Sequence, residues 1–143
     1  MDDRYMPDGW ILPAIDERNR PFFTSGRLLL QVCADCGQVQ HPPEDVCRTC
    51  QSMNFGYQES GGTGTIFSYT VVHHPVHQLL HERVPYIVAL VQLDDLPHVR
   101  IVGNIVDAAP GAVGIGAAVA ALWEEITDPA TGELIKLPQW GLS

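Results

Sequence analysis

From Thr65 onward the chain alternates with a period of two. Phe67, Tyr69 and Val71 fall on one side and Ser68 and Thr70 on the other, which predicts a half-buried strand. Tyr86–Leu93 is apolar almost throughout and rich in β-formers, the pattern of a central strand buried on both faces. Asp94-Asp95 turns the chain into Val99–Ile105, where Val99, Ile101 and Ile105 point one way and Arg100 and Asn104 the other. Pro110 and three glycines make 107–116 a connection. The alanines and glutamates of Ala117–Ile126 favour a helix locally. A four-strand sheet still needs a closing partner, so a strand is expected there. Asp128–Gly132 reads as a turn and Leu134–Leu137 as a last short strand. Five strands with the longer connection between the third and fourth predict a small Greek-key barrel of the OB type.

The first half is less regular. Asn19 can cap a short helix that has Pro21 in its first turn and Gly26 at its end. Arg27–Val32 reads as a strand and Asn54–Glu59 as its returning partner. The small residues 60–64 (Ser-Gly-Gly-Thr-Gly) form the expected boundary, dividing the chain into 1–59, helical segment and ribbon, and 60–143, barrel.

Between those two strands stand all four cysteines, as Cys33-Ala34-Asp35-Cys36 and Cys47-Arg48-Thr49-Cys50, with ten residues between the pairs. A C-x-x-C turn presents two sulfurs on one knuckle, and two facing knuckles complete a tetrahedral shell for zinc. Gly37 supplies the left-handed residue that the first knuckle needs, whereas the second has Gln51 there. Pro42-Pro43 is expected to turn the hairpin between them. Structural disulfides would require an oxidising compartment, and a thioredoxin-like redox pair a βαβ context that is not evident here. Four thiolates close the shell, so the expected metal is a structural Zn2+, ligated by Cys33, Cys36, Cys47 and Cys50.

Composition narrows the function. With 143 residues, 45% of them hydrophobic and 17% charged, the chain is a small globular protein. Its apolar runs fall well short of the roughly 20 residues of a membrane helix. The start Met1-Asp2-Asp3-Arg4 lacks a signal-peptide pattern, so a cytoplasmic protein is expected. Seventeen acidic residues face eight basic ones, for a net charge of −9, and Lys136 is the single lysine. That balance argues against a phosphate-neutralising nucleic-acid surface.

Taken together, these motifs resemble a family that joins a rubredoxin-like zinc ribbon to an OB-fold, a domain of unknown function associated with acyl-CoA chemistry. The resemblance runs from about residue 14 to 140. It rests on Pro21-Phe22-Phe23, Gly26-Arg27-Leu28, Leu30-Gln31, the two cysteine knuckles with Gly37, Pro42-Pro43, Gly62-x-Gly64-Thr65, Tyr69-Thr70-Val71-Val72-His73, Pro85-Tyr86 and Ile115-Gly116. It departs at Gln51 and at the helix-prone 117–121. The resemblance implies a mainly β protein: short N-terminal helix, zinc ribbon, then a five-stranded OB-fold barrel. It also implies an accessory, non-catalytic subunit whose partner is a thiolase-like protein, including sterol-carrier-type thiolase homologues. The complex would act in retro-aldol cleavage, thiolysis or acyl transfer, with steroid side-chain degradation among its settings. The small subunit would help assembly and the access of an acyl-CoA substrate. Asp94-Asp95, Arg83 and the Trp10–Pro13 segment are the candidate contacts.

Two further readings remain. An OB barrel with Phe67 and Tyr69 on one strand and Arg100 on another could stack and neutralise single-stranded nucleic acid. The cluster His73, His74, His77 and His81 could bind a second metal or serve acid–base chemistry. A solvated loop broken by Pro75 accounts for the same residues more simply.

Overall fold

The computed structural model describes residues 4–143. Met1–Asp3, read above for a signal sequence, lie outside the described residues. Helix α1 (Arg20–Thr24) begins after Asn19 with Pro21 in its first turn, and Gly26 leaves it at φ +69°. The Asn19 side chain does not cap α1. Instead it accepts the Asp16 backbone N–H at 2.8 Å while Asp16 accepts that of Asn19, a reciprocal box that tightens the turn before the helix.

Strands β1 (Leu28–Cys33), β2 (Val39–Gln40) and β3 (Phe55–Ser60) make an antiparallel sheet in the order β2-β1-β3. The β1–β2 hairpin turns through the first cysteine knuckle itself, where Cys33 N donates to Gln38 O at 2.9 Å. Pro42-Pro43 therefore follows β2 and does not turn the hairpin.

Strands β4 (Thr63–Val72), β5 (Tyr86–Leu93), β6 (Arg100–Ile105), β7 (Ala118–Thr127) and β8 (Leu134–Leu142) close into a barrel in the order β4-β5-β6-β8-β7. Neighbours are antiparallel except β6 and β8, which meet in parallel at Ile105 and Trp140. The helix-prone segment is indeed a strand, because β7 pairs with β8 along its whole length and closes the ring onto β4.

Three details differ from the linear pattern. A β-bulge between Ile66 and Ser68 shifts the register of β4, so Ile66 is buried and Phe67 is turned outward, 43% exposed. Only Tyr69 and Val71 of the expected face pack against the core. Strand β5 is buried on one side only: Ile87, Ala89, Val91 and Leu93 point in, and the residues between them are half-buried. It lies between β4 and β6 in a barrel that has one interior, so a second buried face does not arise. Strand β8 does not stop at Leu137. It runs through Pro138, which faces Trp123, and carries Trp140 to the barrel centre at 0% exposure. Gly103 makes room for that indole: a Cβ there would lie 2.6 Å from Trp140 Cδ1.

The buried cluster is continuous across both halves. Phe22 of α1 and Leu28, Leu30 and Val39 of the ribbon belong to the same cluster as Ile66, Val91 and Trp140 of the barrel. The glycine-rich junction is pinned: the Asp95 carboxylate accepts Ser60 Oγ and the Gly61 N–H, both at 2.8 Å. At the other end of the barrel the side chain of Glu124 on β7, 0% exposed, anchors residues 4–6. No helix among the described residues is long and apolar enough to cross a membrane.

Candidate metal centre and the ribbon–barrel junction

The two knuckles are built alike although their sequences differ. In the first, Gly37 N donates to Cys33 O and Cys33 N to Gln38 O, both at 2.9 Å. In the second, Gln51 N donates to Cys47 O at 2.9 Å and Cys47 N to Ser52 O at 2.8 Å. Gln51 adopts φ +62° where Gly37 has +78°, so the chain accepts the strain of a side chain in the left-handed region to keep the turn.

The four sulfurs converge, all within 4.8 Å of one another. Cys33 and Cys50 lie 3.6 Å apart and Cys36 and Cys47 3.7 Å apart. A tetrahedron with Zn–S bonds of about 2.3 Å has edges of about 3.8 Å, so the spacing suits one zinc ion. It is far too long for the roughly 2.05 Å bond of a disulfide, and all four cysteines are free. Backbone N–H groups face two of the sulfurs, from Cys36 to Cys33 at 3.5 Å and from Thr49 to Cys47 at 3.4 Å. The Cys36 N–H above all holds the Cys33 thiol down, to about 6, against burial, which pushes it up. The Cys50 N–H leads in lowering Cys47. Both shifts run toward the thiolate, the form a metal binds.

Polar residues hold the knuckles in place. Asp35 accepts Ser52 Oγ and, at 3.2 Å, Asn54 Nδ2, tying one knuckle to the other, and its carboxyl is lowered by Ser52 first. Two buried glutamines fasten the loop that leads to the second knuckle. Gln40 Nε2 donates to Gln31 Oε1 at 2.8 Å, Gln31 bonds both backbone groups of Glu44, and Gln40 Oε1 accepts the Arg48 N–H at 3.1 Å. This pair was not singled out from the sequence. Its signal is a glutamine in the middle of the apolar strand Leu28–Cys33.

The comparisons with known proteins agree with this architecture. Residues 24–55 match the family model described as "ChsH2, rubredoxin-like zinc ribbon domain", and residues 57–124 that described as "ChsH2, C-terminal OB-fold domain". A chain in the solved structure of an "Ltp2-ChsH2(DUF35) aldolase" superposes with a TM-score of 0.75 at 36% identity, over 92% of this chain and 98% of that one. The chain belongs to the ChsH2 family.

Among curated relatives, the "Probable enoyl-CoA hydratase alpha subunit" of Thermomonospora curvata is 40% identical over 120 residues, covering 82% of this chain and 36% of its own. The "3-oxo-4,17-pregnadiene-20-carboxyl-CoA hydratase alpha subunit" of Mycobacterium tuberculosis is 34% identical over 126 residues, covering 85% of this chain and 39% of its own. The chain thus spans less than two-fifths of the length of either hydratase subunit.

The four cysteines are the one group of three or more His, Cys, Asp or Glu among the described residues with ligand atoms close enough to share a metal. His73, His74, His77 and His81 lie on an exposed loop and do not converge with one another. His77 has a local task instead: its Nδ1 accepts the Leu79 N–H at 3.0 Å at the start of a 3-10 turn, and its ring meets Trp10 edge-on. Of the residues expected to make contacts, Asp95 is spent on the β3–β4 junction and Arg83 donates to Tyr5 O at 2.9 Å, while Ile11 stands 79% exposed. The Phe67 ring is covered on one side by the Arg100 guanidinium, 3.7 Å from its centroid. Tyr69 is turned to the core, so the two aromatics do not form one stacking platform.

His41, packed on Phe22 between ribbon and barrel, is held near pKa 4 by burial and, after that, by Arg48. Its ordinary value is 6.5, so between those limits the unfolded chain takes up a proton that the folded chain refuses. The stability His41 contributes is therefore complete above pH 6.5 and is lost as the pH falls toward 4. Denaturation midpoints at both ends of that range should show a loss of about 2–3 kcal/mol that His41→Phe reduces. Zinc release on acidification affects both proteins, so the difference between them isolates His41. Equal losses in both would refute the assignment.

Proposed function

We propose that this chain is a non-catalytic accessory subunit of a thiolase-like acyl-CoA enzyme. In this reading Cys33, Cys36, Cys47 and Cys50 hold one structural Zn2+, and the ribbon and barrel together form a rigid body that supports assembly and access of the acyl-CoA substrate. The observation that carries it is the match over nearly the entire chain to one component of a two-component aldolase. The ligand set points the same way, because four cysteines around one zinc leave no position for water or substrate. The substrate class is an acyl-CoA, with steroid side chains among the candidates given the pregnadiene-carboxyl-CoA hydratase relative. The partner's reaction is retro-aldol cleavage, thiolysis or acyl transfer.

Co-expression with a thiolase homologue from the same organism tests the reading. The expected result is a hetero-oligomer on gel filtration and turnover by the complex that the homologue alone does not reach. Full activity of the homologue by itself, with no complex, would sink the proposal.

A further inference from the structure

Strand β6 has an unfinished edge. Leu93 N donates to Val99 O at 3.2 Å, and the β5–β6 register runs unbroken from Arg100 to Ile105. Ile101, Gly103 and Ile105 therefore turn their backbone groups toward β5, and those of Arg100, Val102 and Asn104 face the other way. Val106, next in that second series, donates to Trp140 O of β8 at 2.8 Å. Strand β8 meets β6 at one pair only, Ile105 and Trp140. Two residues back along this parallel ladder, residue 138 would donate to Val102 O, but it is proline and has no N–H. The missing donor lies on the β6 side of β8, so pairing with β7 continues through Pro138. Among the described residues no strand pairs with Arg100 and Val102 on this side.

Val102 and Pro138, the two ends of the missing hydrogen bond, line one hollow of about 360 Å³. Phe22 and Phe23 of α1 and Pro42-Pro43 of the ribbon make up most of the rest of its lining, and Val102 is 69% exposed. The charged residues of the lining are spent: Arg18 lies 3.1 Å from Asp45 and 4.0 Å from Asp16. An uncharged occupant is therefore favoured. The outer edge of β3 is guarded in the usual way, by exposed Gln58 and Glu59, whereas the open stretch of β6 has a valine at its middle. What completes such an edge is another extended backbone, which offers N–H and C=O groups at the same alternating spacing. A helix keeps its own groups bonded internally. Strand β6 of a second copy would bring its own α1 and Pro42-Pro43 with it, so the hollow admits a slim segment and not another barrel.

We propose that the seam between β6 and β8 is a strand-addition site. It takes an uncharged, extended peptide segment of a partner chain that pairs with the backbone of Arg100 and Val102 and sets alternate apolar side chains against Phe23, Pro42 and Pro43. This site does not depend on the thiolase-like partner proposed above, and the isolated full-length, zinc-loaded chain is sufficient to test it.

Nuclear magnetic resonance titration with the capped peptide acetyl-Ser-Val-Thr-Val-Ser-amide provides that test, with amide hydrogen exchange measured with and without it. Saturable binding is expected, with exchange slowed at Arg100 and Val102 and unchanged at Ile101 and Gly103, which are already paired with β5. The same peptide with every amide N-methylated should bind about tenfold more weakly, the loss of one or two backbone hydrogen bonds. Val102→Glu, a change at an exposed position that the fold tolerates, should weaken binding by about tenfold. Val76→Glu, on the exposed loop before β5, should leave it unchanged. Absence of saturable binding overturns the proposal, as does binding that leaves Arg100 and Val102 exchanging at the free rate or that N-methylation does not weaken. Protection of the same two amides that rises with protein concentration in the absence of peptide overturns it in favour of a second copy.

Discussion

Cys36→Ser or Cys47→Ser is expected to reduce zinc content from about one ion per chain to none and to unfold the ribbon. In small zinc domains the metal contributes about 10–16 kcal/mol of apparent binding free energy at neutral pH, and that free energy is also folding free energy. The ribbon has little else to hold it. Strand β2 has two residues, and Leu28, Leu30 and Val39 are buried in a cluster shared with the barrel, not in a core of the ribbon's own. Backbone amides of β1, β2 and β3 should lose their protection from hydrogen exchange in either mutant. The barrel should keep its β-sheet circular dichroism, since Ile66, Ile87, Val91, Ile101, Val119 and Trp140 all lie on its own strands. It should nevertheless become less stable, because unpacking each ribbon leucine removes about 1.5–3 kcal/mol of apolar burial. Cys36 is exposed, so serine there disturbs ligation and not packing. A mutant that loses zinc while its ribbon amides stay protected would show that the gluto-amide ties of Gln31 and Gln40, not the metal, hold the knuckles.

Glu124→Ala should destabilise the barrel by about 3–5 kcal/mol, the usual cost of removing one partner from a buried charged group. The carboxylate is 0% exposed and fully engaged. Its Oε2 accepts Arg4 Nε at 3.2 Å and the backbone N–H groups of Tyr5 and Met6 at 2.6 and 3.0 Å. Its Oε1 accepts Gln139 Nε2 at 3.0 Å, and Gln139 Oε1 in turn accepts Asn104 Nδ2 at 3.0 Å. Truncation removes this shared acceptor and loosens residues 4–6, which Arg83 and Asp107 still hold through Tyr5. Urea denaturation would measure the loss, and hydrogen exchange at Tyr5 and Met6 would report the release. Glu124→Gln keeps one oxygen in place and should cost less. A loss below about 1 kcal/mol for the alanine variant, the scale of an ordinary substitution, would mean that water replaces the carboxylate.

The sequence by itself determined the features that depend on short-range order. The two C-x-x-C spacings place four sulfurs on two knuckles whatever surrounds them, so the metal centre was legible from the cysteines alone. The period-two stretches and the glycine- and proline-rich connection gave five strands and their order, and with them the OB-type barrel. Even the helix-prone 117–126 is legible as a strand, because the topology demands a closing partner and tertiary pairing outweighs propensity differences of a few tenths of a kcal/mol per residue. Tertiary structure decided what depends on residues far apart. The bulge that turns Phe67 outward arises from the pairing of β4 with β5, and alternation along β4 carries no trace of it. The extension of β8 past Pro138 depends on β7 lying alongside, and Trp140 becomes the barrel's centre only because Gly103 leaves space on another strand. Burial of Glu124 needs the N-terminal segment to cross the end of β7, 118 to 120 residues away in sequence. All of these have one origin: charge and packing act through space, and only the folded chain defines which residues are neighbours.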